Sequence, residues 1–131
     1  MRYVATTVAI LAGLILAACS ASAKLKPGES DYSYGNLRAV ESAEYEKVVK
    51  ATVAAMKELK MKPLVRENDS FRALIVGESV FGALARSHEV RVHIEWLSDA
   101  TTQVRMRILG RRDETRLRRL LSEIRKAVGN R

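Results

Sequence analysis

Three kinds of side chain in this sequence could do chemistry: a single cysteine, Cys19, two histidines, His88 and His93, and the alternating acids and bases around the second histidine. The histidines alone titrate near neutral pH. Five positions apart in a segment that reads as a strand, they have opposite parity and point to opposite faces, so they cannot share one metal ion. Glu89 and Glu95, the carboxylates a hydrolase would need, lie six residues apart, about 20 Å along a strand and too far for either glycosidase geometry. One thiol cannot make an internal disulfide or a multi-thiolate zinc site. No glycine-rich phosphate loop, His-Glu-x-x-His or Gly-x-Ser-x-Gly elbow occurs. No catalytic residue, metal or cofactor is assigned, and the chain reads as a non-enzyme.

A second group could bind rather than react. Arg91, His93 and Glu95 share one parity, and Arg105 and Arg107 share the matching parity of the next strand, which makes a charged sheet face. Such a face serves as a partner or ligand surface, or is simply the solvated side of a hairpin. Trp96 has the other parity and is expected in the core; as a stacking platform for a sugar it would instead be enclosed in a pocket with His93 and Glu95 at the rim.

Cys19 draws its meaning from what precedes it. Met1-Arg2-Tyr3 leads into an apolar run of about fifteen residues, shorter than the roughly 20 needed to span a bilayer, and this reads as the hydrophobic stretch of a secretory signal. It closes on Leu16-Ala17-Ala18-Cys19, which resembles the lipobox of bacterial lipoproteins. The resemblance implies cleavage between Ala18 and Cys19 and lipid attachment to the Cys19 thiol, with two or three acyl chains giving stable anchoring. A competing pattern, Ala21-Ser22-Ala23, fits ordinary signal peptidase and would release a domain starting at Lys24. The adopted division is a signal peptide over 1–18, a lipidated cysteine and tether over 19–31, and one domain over 32–131.

The elements that position these residues follow from periodicity. Residues 20–31 are small, polar and broken by Pro27-Gly28. Residues 32–40 read as one weak strand. Ser42 is the expected N-cap of a helix over about 43–60, whose stripe is Tyr45, Val48, Val49, Thr52, Met56 and Leu59. Pro63 stops it, short strands follow over 64–67 and 72–80, and Val80-Phe81-Gly82-Ala83-Leu84-Ala85-Arg86-Ser87 is left as an apolar loop, a buried corner or a contact site. Val90, Val92, Ile94 and Trp96, then Val104, Met106 and Ile108, alternate with charge as a hairpin. Asp113 and Glu114 open a last helix with the stripe Leu117, Leu120, Leu121, Ile124 and Val128. The order β-α-β-β-β-β-α predicts a two-layer α+β domain, an antiparallel sheet of 4–5 strands with two helices on one face.

Four segments carry a family resemblance: the lipobox, Tyr32-Ser33-Tyr34-Gly35-Asn36-Leu37, the helix end AAMKELKM, and TTQVRMRILG before LLSEIRKAV. Together they resemble small Gram-negative lipoproteins of an uncharacterised domain-of-unknown-function family. Arg111-Arg112 stand where that family has a more glycine-rich turn. The resemblance implies an exported lipoprotein and no activity.

Charge then suggests a partner. From residue 105 to the end there are ten Lys and Arg against three Asp and Glu, while residues 19–104 carry twelve of each. Outward-facing Arg118, Arg119, Arg125 and Lys126 on the last helix would meet an anionic lipid surface or an acidic envelope protein. Export sets nucleic acid aside. The expected protein is therefore anchored to a membrane through Cys19 and faces the periplasm; Ser20 rather than Asp after the cysteine resembles lipoproteins sent to the outer membrane. It would serve as a structural or adaptor module; a small-molecule or glycan-binding domain, with or without hydrolysis, on the charged face is the alternative.

Overall fold

The computed structural model describes residues 24–81 and 86–129. Cys19, the Ala18–Cys19 cleavage position and the signal peptide lie outside the described residues. Eight elements follow in chain order: β1 (Ser30–Ser33), β2 (Asn36–Glu41), α1 (Tyr45–Glu58), β3 (Lys62–Asn68), β4 (Arg72–Phe81), β5 (Arg86–Ser98), β6 (Thr101–Ile108) and α2 (Glu114–Gly129). All strands join one antiparallel sheet in the order β1-β2-β6-β5-β4-β3. The class is α+β, as expected.

The central hairpin sets the register. Val92 lies opposite Met106 and Ile94 opposite Val104, all four at most 1% exposed. β2 pairs on the far side of β6 with Leu37 opposite Met106, and β4 pairs with β5 with Ile75 opposite Val92. These side chains share one face, and on it lie the buried stripes of α1 (Val48, Ala55, Met56) and α2 (Leu117, Leu120, Leu121, Ile124). Among the described residues the opposite face carries no helix.

The sheet has six strands rather than four or five because the segment over 32–40 is a hairpin of its own. Tyr34 and Gly35 both have positive φ, 51° and 82°, in a two-residue turn between Ser33 and Asn36. Two successive left-handed residues match the twist of the flanking strands, as in a type I′ turn. The sheet thus begins at Ser30, inside the stretch read as tether, and Gly28 N–H donates to the Val40 carbonyl at 2.7 Å.

Other boundaries shift for local reasons. Glu44, not Ser42, occupies the N-cap of α1, extended and without a side-chain cap. The helix ends with Lys60 at φ 60°, Met61 N–H on the Met56 carbonyl and Lys60 N–H on that of Lys57, a Schellman closure. Gly77 of β4 lies beneath this end. A Cβ there would stand 3.0 Å from Met56 Sδ and 3.4 Å from Met61 Cβ, so the bare backbone lets α1 sit down on the sheet. Pro63 is part of β3 rather than a stop before it, tolerated because β3 is an edge strand. A bulge separates Val65 and Glu67. Val80, Phe81, Arg86 and Ser87, read as loop, pair across the β4–β5 hairpin; Leu84 of that segment lies outside the described residues.

The register makes a direct expectation. Ile94→Asp places an unpaired charge in a site 1% exposed and should lower unfolding free energy by about 3–5 kcal/mol, whereas Arg105→Gln on the opposite face should change it by less than about 0.5 kcal/mol. Urea denaturation of both variants measures this, and equal midpoints would contradict the register.

Candidate functional site

The helix-free face gathers arginines because pairing brings their strands together. Arg38 of β2 lies opposite Arg105 of β6, Arg105 opposite His93 of β5, and Arg107 opposite Arg91. Like charges directly opposite one another destabilise a sheet, so this arrangement works against folding. Two members are neutralised: Arg38 Nη2 reaches Asp31 Oδ2 at 3.1 Å, and Arg91 Nε reaches Glu89 Oε2 at 2.8 Å, while Arg66 Nη2 holds the other oxygen, Glu89 Oε1, at 3.3 Å. Among the described residues Arg105 and Arg107 make no ion pair. A cleft of about 520 Å³ opens there, lined by Arg38, Arg105, Arg107 and His93, with Asp31, Ser33 and Asn36 from the first hairpin.

The field in the cleft is legible in His93. Partial burial, then the charges of Arg105 and Arg91, hold its imidazole below the usual pKa; Glu67 opposes and Arg107 adds to the effect. Glu95 is on the same face, opposite Gln103 and Arg72.

Trp96 corrects an expectation. It has the core parity but is 36% exposed, and its ring meets Phe71 edge-on with centroids 5.6 Å apart. It borders a second cleft with Tyr45, Asn68 and Asp69, on the helix side of the sheet. Tyr45 donates from its hydroxyl to Asn68 Oδ1 and the Asp69 carbonyl, while Asp69 Oδ1 accepts from Phe71 and Arg72 N–H. Burial raises the Tyr45 pKa, and the two backbone donors lower that of Asp69. His93 and Glu95 point to the other face, so the combined pocket of Trp96, His93 and Glu95 does not form.

The four cations expected on the last helix have separate fates. Arg118 Nε donates to Glu114 Oε2 at 2.9 Å and its Nη1 to Ser30 Oγ at 3.2 Å. Arg125 Nε donates to Glu41 Oε1 at 2.9 Å, and its Nη2 to the Gly28 carbonyl at 3.3 Å. Glu41 is 6% exposed, so Arg125 neutralises a buried carboxylate and belongs to the structure. Lys126 reaches Glu123 at 3.4 Å, and Arg119 makes no ion pair among the described residues. The pairs of Arg118 and Lys126 are exposed, worth about 0–1 kcal/mol, and exchange readily for another anion.

Sequence reasoning missed Arg38, Asp31, Ser33 and Asn36, which one weak strand could not place. The signal was present in the Tyr34-Gly35 turn and in the alternation of Leu37 and Ala39 with Arg38. Among the described residues no cluster of His, Cys, Asp and Glu could hold a metal ion, and no helix is long and apolar enough to cross a membrane.

The profile of a family described as protein of unknown function, DUF3568, matches residues 2–127. A search of curated proteins finds no match. Among solved structures the chain is similar to the vertebrate conserved region of human METTL16, with 14% identity, a TM-score of 0.52, and coverage of 68% of this chain and 75% of that one. At that identity the likeness concerns the fold alone.

His93 predicts a pH dependence. With the folded pKa depressed, the unfolded chain binds the proton first, so stability is fully present above about pH 6.5 and falls as pH drops through that value toward the folded pKa. His93→Gln should flatten this part of the curve, as measured by denaturation midpoints between pH 7.5 and about pH 5; an unchanged slope would assign it to other groups.

Proposed function

The chain belongs to the DUF3568 family, and from its own surface we propose that it is a lipid-anchored, non-enzymatic module of the bacterial cell envelope whose α2 side docks on an anionic membrane surface. One observation carries the reading. The segment leading from the anchor position into the domain is fastened to α2, through Arg118 on Ser30 and Arg125 on the Gly28 carbonyl. Cys19 stands nine residues before Gly28, a span of at most about 30 Å. A lipid at Cys19 therefore keeps α2 near the membrane, together with β1 and β2, to which the same segment is joined.

The exposed cations of α2 suit that position. Near an anionic leaflet each contributes about 1 kcal/mol, over a Debye length of about 8 Å at physiological salt. Acyl chains supply the main attachment, and these charges orient the domain. Ser20 after the cysteine supports the outer membrane as the destination. An acidic envelope protein is the second partner that this surface fits, and the vesicle experiment below separates the two.

Two measurements test the reading. Mass spectrometry of the mature protein should find an acylated Cys19 at the N-terminus, and Cys19→Ala should leave the precursor unprocessed; a mature protein starting at Lys24 would overturn the anchor. Residues 24–131 should bind phosphatidylglycerol vesicles and not phosphatidylcholine ones, more weakly as salt is raised. Changing Arg118, Arg119 and Lys126 together to Gln should reduce binding by about tenfold or more, with Arg125 left in place to neutralise Glu41. Absence of binding at low salt would leave the acidic protein as the partner.

A further inference from the structure

The cleft on the helix-free face holds positive charge that neither the core nor the docking of α2 uses, and we propose that it binds a phosphorylated sugar, with the phosphate seated among Arg38, Arg105 and Arg107. The inference is independent of membrane docking, because α2 belongs to the opposite layer.

Charge identifies the first half of the ligand. Within the cleft three guanidinium groups face one carboxylate, Asp31, and His93 is held toward its neutral form. Two positive charges are left over. A phosphate monoester carries about −1.5 to −2 at neutral pH, which matches them. Guanidinium forks also suit phosphate oxygens in shape, each able to give two parallel hydrogen bonds. Arg38 and Arg105 are direct cross-strand neighbours, with Cβ atoms about 5 Å apart, so both can reach one anion. Arg107 is two residues further along β6, on the same face.

Shape and lining identify the second half. At about 520 Å³ the cleft is several times larger than a phosphate group, given about 30 Å³ for one water molecule. The remaining wall is Asp31, Ser33 and Asn36, which offer a carboxylate, a hydroxyl and an amide. Those are partners for hydroxyl groups. Among the described residues no Phe, Tyr, Trp or aliphatic side chain lines the cleft, so it has no greasy wall for an acyl chain, and the only ring in the lining is the half-buried imidazole of His93. A polyhydroxylated body carrying one phosphate fits both halves.

Arg38 and Arg91 have their own carboxylates, so the charge that disfavours the empty face is that of Arg105 and Arg107, and a bound anion relieves it. His93 reports the same event. Arg105, Arg91 and Arg107 press its pKa down from β5 and β6, and Glu67 of β3 presses it up. A bound dianion adds to the upward pull.

The test uses the full-length lipoprotein in a non-ionic detergent, titrated calorimetrically with glucose 1-phosphate, inorganic phosphate and glucose. Glucose 1-phosphate should bind, inorganic phosphate about tenfold more weakly or less, and glucose not measurably. The His93 ring resonance, distinguished from His88 by His93→Gln, should titrate at higher pH with glucose 1-phosphate present. The double variant R105Q/R107Q should lose about tenfold or more in affinity while its melting temperature stays the same or rises, because two uncompensated charges are gone. Failure of glucose 1-phosphate to bind, equal affinity for inorganic phosphate, or full affinity in R105Q/R107Q would each overturn the proposal. Membrane docking would be unaffected by any of these results.

Discussion

The register between β5 and β6, with Ile94 on Val104 and Val92 on Met106, fixes both faces of the sheet at once. Side chains alternate strictly along a strand, so committing these four to the helices commits Arg91, His93, Glu95, Arg105 and Arg107 to the open side. A slip of one residue would bury those five and expose the core. β2 inherits the constraint: Leu37 must lie on Met106, and Arg38 then stands beside Arg105. The hydrophobic effect thus assembles the cationic cleft as a by-product of packing the other face.

What the sequence made legible follows the same logic. Strict alternation in the central hairpin and a narrow leucine stripe in α2 are strong periodic signals, and both match the structure. The first hairpin gave a weaker signal, because the left-handed position before Gly35 is held by Tyr34, where Asn or Asp is the usual mark. Trp96 shows a different limit. Its parity correctly names a face, but parity says nothing about whether a helix covers that part of the face, and near the end of β5 it meets Phe71 and solvent instead. Glu41 and Arg125 are 84 residues apart, and no local pattern announces a pair at that distance.

The basic excess of residues 105–131 therefore divides into unlike populations. Arg125 is structural, tying a buried carboxylate and the incoming chain to α2. Arg118 and Lys126 sit in exposed pairs that yield easily to another anion. Arg105 and Arg107 belong to the other layer and have no carboxylate of their own among the described residues. Net charge alone merges these three roles; topology separates them, and it gives the domain two chemically distinct sides.

The margins of the sheet bear on life at a surface. β1 is four residues long, and β3 carries Pro63, whose nitrogen cannot donate, and the bulge between Val65 and Glu67. Lys62 and Arg66 flank the exposed Leu64 and Val65 there. Each of these features discourages a strand of another molecule from adding to the row. Under the proposed anchoring, copies would be confined to one membrane plane and would meet one another there. A long, flat, unguarded margin under such crowding would seed polymers, and a short strand on one side with a kinked, proline-bearing one on the other lets neighbours collide and part.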